Sequence, residues 1–443
     1  MVLPAVTFAL TSIVRTWNIS RNFWMLGDQI RDWSIALGPF TSLPLVGPAT
    51  HVGGYTIGPA FYWILWLIRV VVGPWFQNLP HGGGIGQALM QSGADALFLM
   101  AVWKRTGSAW LALTAVVLLA TAPFDLSLAA VIWNPVVGSI LAKTATALIL
   151  LDWHRQSLLR VAVTAAIAWS AVHAYTGTIF VALGVFAALI VDQCLHRDWR
   201  DALRRALVIA GAVGVLQVPY AIHQVARGFS DSAMGAVTFS IAGIMRGSDH
   251  LRLAASAGYY GHALNFIQVA PWRLNVSGWI VLGCAVLLTI RYRHDSVLLA
   301  VTLIPQFAAV IGYAVWLGDF QDYYYLSLMP AAVLTVLLGA TTLVPARFTQ
   351  VAGIALLAAA VAIVPARLRY AALLPTLPAY GVLVAASRQI VRLKQPMRSI
   401  EPEFGLPPTT DPEFIFRILG GRIDRDAEWR AVISPDGRVT YLR

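Results

Sequence analysis

The chain has 443 residues, of which 58% are hydrophobic and only 12% charged, whereas soluble domains carry roughly 25% charged residues. That imbalance excludes a single soluble core and predicts an all-α, polytopic transmembrane bundle. The net charge of +11 does not imply nucleic acid, because the basic residues sit in short loops beside apolar runs and form no basic amphipathic tract. Cys194 and Cys284, both in or near apolar segments, imply neither a disulfide framework nor a zinc site.

In chain order, hydropathy marks spans at about 2–16, 57–76, 86–103, 108–122, 136–152, 158–173, 176–192, 205–222, 276–291, 297–316, 324–344, 349–364 and 370–388. Allowing for short ones, that is about 11–13 crossings. The opening lacks a basic n-region and an A-x-A cleavage site, so Val2 to Val14 reads as an uncleaved first span. The pair 158–173 and 176–192 reads as a broken or re-entrant hairpin. Lys104–Arg105, His154–Arg155, His196 to Arg205, Arg291 to His294 and Arg392 to Arg398 should be cytoplasmic. Loops 123–135, 173–176, 223–275 and 317–323 then face outward together, with 17–56. Thirteen crossings from an inside N-terminus end outside, in conflict with the basic run 392–398, so the side of the C-terminus stays open.

Residues 1–390 form the membrane domain, and 391–443 a small soluble α+β tail. No Glu precedes Glu401, and residues 399–443 hold eight acidic residues. Ala431 to Ile433, Ser434-Pro435-Asp436-Gly437 and Arg438 to Leu442 read as strand, turn, strand, the Asp-Gly pair supplying the turn.

The richest polar segment lies in the first outward loop, from Arg21 to Trp33. Asp28 and Asp32 stand four residues apart, on one face if the segment is helical. Paired carboxylates there either serve as a base or cation site, or are neutralised by Arg21 and Arg31. His51 to Trp63 follows, with Gly58-Pro59 opening a helix. Asp125 and Asn134 share one outward loop, and Asn134 either caps the following helix or faces a site. His173 and Tyr175 interrupt an apolar run, either as packing residues or as an intramembrane functional pair. Asp322 and Tyr323 open a late apolar segment. The long loop 223–275 offers Arg246, His250 and Arg252, either solvated or contacting an anion. There is no nucleotide phosphate loop and no H-E-x-x-H.

The segments Leu26-Gly27-Asp28-Gln29, His51 to Trp63, Val131-Ile132-Trp133-Asn134-Pro135 and Asp322 to Pro330 together resemble the glycosyltransferase family 39-like group of the GT-C superfamily, which includes lipid A aminoarabinose transferases and protein mannosyltransferases. The resemblance covers about residues 1–390 and departs from the family at Gln29, where an Asp-Glu pair would have its Glu. It implies an inverting glycosyltransferase, of hexosyl or pentosyl type, that uses a polyprenyl-phosphate sugar. The first-loop aspartate, here Asp28, would be the general base. Asp32, Asp125, Asn134, His173, Tyr175, Asp322 and Tyr323 are candidates for supporting or acceptor-side roles. His51, Arg246, His250 and Arg252 are candidates for the donor phosphate, whose departing charge needs cations. Some relatives use a divalent metal, but Asp28 and Asp125 alone make no cage for a hard cation, so no metal and no other cofactor is expected.

The expected partners are the lipid-linked donor, membrane lipids and a cell-envelope acceptor, which is a glycolipid, a polysaccharide or a protein. The expected place is a bacterial inner membrane, with the site facing outward. The rival reading is a transporter or flippase of lipid-linked glycans without covalent chemistry. Against it stand the absence of duplicated halves and a polar set gathered in outward loops rather than at mid-span.

Overall fold

The computed structural model describes every residue except 1, 51–53, 129–130, 230–249, 265–275, 316–320, 373–377 and 405–409. The protein is a helical bundle with a small three-stranded sheet near its C-terminus. In chain order the helices are α1 (Val2–Thr16), α2 (Ile19–Asn22), α3 (Gly27–Leu37), α4 (Ala60–Val71), α5 (Pro80–Thr106), α6 (Ala109–Ala120), α7 (Pro123–Leu128), α8 (Asn134–Leu150) and α9 (Leu158–Ala174). There follow α10 (Ile179–Leu195), α11 (Trp199–Ala226), α12 (His250–Leu264), α13 (Val276–Arg291), α14 (Ser296–Ala314), α15 (Met329–Thr341), α16 (Thr349–Ala372), α17 (Tyr380–Val391) and α18 (Pro412–Ile418). Among the described residues, six segments are long and apolar enough to cross a membrane, including α5, α11 and α14.

One end of the bundle is stitched together by the basic loops. Arg105 pairs with Asp152 at 3.1 Å and with Asp295, and Arg155 pairs with Asp152 at 3.1 Å and Asp192 at 2.5 Å. Two of the acids near this end also start helices: Asp295 accepts from Leu298 N–H at the start of α14, and Asp198 from Asp201 N–H at the start of α11, the usual N-cap bond. A cavity of about 620 Å³ opens among these loops. The sequence-derived grouping of 104–105, 154–155 and 291–294 is thus a physical cluster.

At the opposite end, Asn134 Nδ2 donates to Ala174 O, Tyr175 lies 6.4 Å from Tyr323 between ring centroids, and Tyr55 lies 5.6 Å from His223. The loops expected to face outward together are therefore neighbours. The hairpin at 158–192 is two full helices, α9 and α10, which run between the ends through a short 3₁₀ turn at Thr176–Thr178. Within the bundle α10 packs closely on α14, where a Cβ at Gly184 would stand 2.8 Å from the Pro305 ring.

Two expected spans do not cross. Helix α4 has 12 residues and packs on α3 of the first loop. The chain also returns to where it began. Trp66 Nε1 donates to Gly38 O, and Trp33 Nε1 to Asn78 O beyond α4. Helix α17 also has 12 residues and stays at this same end. Tyr380 stacks edge-on against Phe23 at 4.7 Å, and Arg388 donates to Gln77 Oε1 at 2.9 Å. Among the described residues, eleven helices run between the two ends: α1, α5, α6, α8 to α11, and α13 to α16.

This count removes the parity conflict by correcting one expectation. The run Arg392 to Arg398 lies at the Asp28 end, not with the other basic loops, because α17 and the tail are buried against the first loop. Phe23, Met25, Trp33, Tyr380, Leu383, Met397, Ile400, Phe416 and Ile433 form one apolar core. That burial of apolar side chains outweighs the charge bias of this one basic run. In the tail, β2 (Arg430–Ile433) and β3 (Val439–Leu442) form the expected hairpin, with Ile433 opposite Val439 and Gly437 at φ +90°. Strand β1 (Ile400–Pro402), which the sequence did not mark, pairs in parallel with β2.

With Cys194 and Cys284 replaced by alanine, single cysteines introduced as Trp17→Cys, Asp436→Cys and Arg293→Cys report this topology in sealed vesicles. An impermeant maleimide should label positions 17 and 436 from one side and 293 from the other. Labelling of 436 together with 293 would contradict the docked tail.

Candidate active site

Asp28 occupies the first turn of α3, where a carboxylate is favoured by the helix dipole. The turn is shaped by Gln29, whose Oε1 accepts from Leu26 N–H at 2.9 Å. Gln29 thus has a capping task at the start of α3. Arg31 bridges the two aspartates, donating to Asp28 Oδ1 at 3.0 Å and to Asp32 Oδ1 at 2.8 Å. Their environments differ sharply: the Asp28 side chain is 66% exposed and that of Asp32 3%. Asp32 also accepts from the Tyr62 hydroxyl at 2.9 Å. Burial pushes the Asp32 carboxyl up to about 6, against the pull of Arg31 and the hydrogen bond from Tyr62. Asp28 is therefore the carboxylate free to meet a ligand, and Asp32 orients Arg31.

A group of aromatic rings stands at the same end of the bundle as Asp28. Tyr323 lies within reach of the Asp28 charge, 4.7 Å from Trp133 and 4.9 Å from Tyr324 between ring centroids. Behind it the rings continue in contact: Tyr313 stacks on Tyr324 and meets Tyr325 edge-on, and Tyr260 is tilted against Tyr325. Tyr323 belongs to the 3₁₀ segment Asp322–Leu328, against which α12 packs. Helix α12 starts at His250 and carries Arg252, and it meets the tyrosines through Tyr260, 5.5 Å from Tyr325 between ring centroids. The side chains of His250, Arg252 and Asp322, and all of His51 and Arg246, lie outside the described residues.

Three other candidates have separate surroundings. The side chain of Asn134 caps nothing and instead ties the start of α8 to the end of α9 through Ala174 O at 3.1 Å. His173 is fully buried, with Nε2 3.1 Å from Gln217 Oε1, and Gln217 in turn donates to Ile57 O. A Cβ on Gly58 would come 2.1 Å from the His173 ring, so this histidine packs the Gly58 turn against α9 and α11. Asp125 does not stand with Asp28. It is buried, accepting from Arg15 Nη2 at 2.6 Å and from Gln91 Nε2 at 2.7 Å.

Asp125 belongs to a charge cluster that sequence reasoning missed. Arg15 also meets Asp95 at 2.6 Å, and Asp95 meets Lys143 at 2.6 Å, all four side chains being at most 9% exposed. The two cations and two anions balance, which is the condition for burying charge in a low dielectric. A cavity of about 30 Å³, lined in part by Gln91, Asp125, Ser139 and Lys143, has room for one water molecule. The signal was present: Asp95 and Lys143 are charges inside apolar runs. What the sequence did not give was their pairing.

Lys143→Met would strand one charge of this cluster, and losing one partner of a buried pair costs about 3–5 kcal/mol. The expected result is a sharply lowered unfolding midpoint in detergent, largely recovered by Lys143→Met with Asp95→Asn. A separate expectation concerns Asp32. Its folded carboxyl, at about 6, lies above the unfolded value of about 3.9, so folding takes up a proton between these. The resulting stabilisation is complete below about pH 3.9 and lost as pH rises through about 6. Wild type should lose thermal stability between pH 5 and pH 7, and Asp32→Asn should show a flatter profile.

No family model and no curated protein matches this sequence. Among solved structures, the chain is similar to ArnT from Cupriavidus metallidurans. The crystal structure bound to undecaprenyl phosphate superposes with a TM-score of 0.50 at 16% identity, covering 93% of this chain and 84% of that one. The apo-state structure gives a TM-score of 0.51 at 16% identity, with 95% and 84% covered. The likeness extends over nearly the whole chain, and the chain shares the overall fold of ArnT.

Proposed function

We propose that this chain is an inverting glycosyltransferase of the inner membrane that moves a sugar from a polyprenyl-phosphate donor to a cell-envelope acceptor at the outer face. The observation that carries the reading is the contrast between its two first-loop aspartates. Asp28 is exposed and held on one side by Arg31, whereas Asp32 is buried and engaged. The shared fold with a protein solved with undecaprenyl phosphate adds support. In the proposed reaction Asp28 takes the proton of an acceptor hydroxyl as its oxygen bonds to the anomeric carbon. The bond from that carbon to the phosphate oxygen breaks, and the phosphate leaves with the electron pair. Trp133 and Tyr323 offer aromatic faces to the sugar, and the α12 stretch with His250 and Arg252 offers cations to the departing phosphate.

The reading is metal-independent. Asp125, the second acid that a metal site would draw on, is committed to Arg15 and Gln91, leaving Asp28 without a second carboxylate ligand free of Arg31.

A second reading, a transporter or flippase, gains one observation. Charged groups do stand inside the bundle, contrary to the expectation that the polar residues lie only in outward loops. The cluster is closed, however: each of its charges has an opposite partner within 2.6 Å, so it presents no unpaired charge to a cargo.

Purified protein in nanodiscs, given labelled polyprenyl-phosphate sugars and candidate acceptors, should transfer sugar, and EDTA should not slow it. Asp28→Asn keeps the shape and removes the base, and should cut transfer by about 10²–10⁴-fold with donor binding retained. Undiminished transfer by that variant would move the base elsewhere. Donor flipping without transfer would favour the second reading.

A further inference from the structure

The tail was expected to be an appendage, yet its hydroxyl at Thr410 enters the wall of the first loop. Thr410 is 1% exposed, and its Oγ1 accepts from the backbone N–H of Met25 at 3.1 Å across 385 residues of chain. Met25 is itself fully buried. The next amide, Leu26 N–H, is taken by Gln29. Two successive backbone donors immediately before α3 are therefore committed, one to the helix itself and one to the tail. Asp28 follows two residues later.

Thr410 is held rigidly where it makes this contact. Asp411 caps α18, accepting from Glu413 N–H at 2.8 Å, with Pro412 in the first turn. Glu413 in turn accepts from Ile400 N–H at 3.3 Å and from both Arg425 nitrogens at 3.1 Å, tying α18 to β1 and to the loop before β2. On the other side, Phe23 is clamped on Tyr380, and Gly381 approaches Ser20 so closely that a Cβ would stand 3.2 Å from Ser20 O. The tail, α17 and the segment before α3 share one apolar core. The first amides of a helix lack partners within it, and the buried Met25 amide just before α3 has Thr410 as its acceptor. A buried amide that loses its acceptor is left with an unmet desolvation cost, enough to shift the turn.

We propose that Thr410 is a positioning residue for the active site: through Met25 N–H the tail fixes the turn that carries Asp28 and sets the reach of its carboxylate. The inference rests on Asp28 being the base, and it makes the tail a working part of the enzyme. A misplacement of about 1 Å in a reacting group can cost 10²-fold, so a modest loosening should appear in turnover rather than in binding.

The test uses the full chain in nanodiscs as wild type, Thr410→Val, Thr410→Ser and Asp28→Asn, with two readouts. Hydrogen–deuterium exchange over residues 19–33 reads the turn without reference to any reaction. Thr410→Val should raise exchange there at least tenfold and leave α5 and α8 unchanged, and Thr410→Ser should restore it. In the transfer assay Thr410→Val should lower kcat about tenfold with KM within twofold, and the serine variant should recover it. Unchanged exchange in Thr410→Val would overturn the proposal, as would raised exchange with unchanged kcat. If wild type transfers but Asp28→Asn is equally active, the base assignment falls, and the exchange result alone then decides whether the tail holds the turn.

Discussion

Four charges shut away from water fix the upper half of the bundle. Arg15 closes α1 onto Asp125 of α7 and Asp95 of α5, and Lys143 joins α8 to the same Asp95. In an apolar interior an unpaired charge is strongly penalised, so these four helices have few alternative arrangements. The site end inherits that rigidity. Helix α8 begins beside the cluster's level with Trp133 and Asn134, and the segment carrying Tyr323 continues into Leu326 and Met329, which line the adjoining cavity. The aromatic faces near Asp28 are thus mounted on the elements that the charges lock.

Above this frame the chain is organised by helices packed against the first loop rather than threaded through the bundle. Both α3 and α4 lie on the end of the bundle, and α17 joins them with the tail. Each has an apolar face that finds protein rather than lipid, as Trp33, Phe61 and Tyr380 show by their burial. The consequence for chemistry is a carboxylate on a supported helix start instead of a loose loop. Arg31 and Asp32 contribute from behind: Arg31 balances Asp28, and the buried Asp32 keeps Arg31 from leaving. The same arrangement explains why two aspartates four residues apart do not act alike.

The likeness to ArnT and the short motifs agree on the architecture, although identity is low. A transmembrane fold tolerates such divergence because lipid-facing positions need only be apolar, while the few constrained positions are scattered. Gln29 illustrates the point. It supplies a capping acceptor to Leu26 N–H at the start of α3, a local task that a short motif does not reveal.

The sequence by itself determined the membrane class, the basic loops that cluster at one end, the set of loops that meet at the other, and the hairpin of the tail. These follow from composition, from hydropathy period and from turn residues, all of which act locally. It marked Asp28 as a base by resemblance, but could not separate it from Asp32, since exposure depends on Tyr62 and the bundle beneath. Hydropathy also read α4 and α17 as spans, because an apolar face buried in protein looks like one facing lipid. The pairing of Arg15 with Asp125 across 110 residues, the withdrawal of Asp125 from the site, and the contact between Thr410 and Met25 were decided only in the tertiary structure. Each depends on which distant groups share a water-free space, and no local pattern in the chain records that.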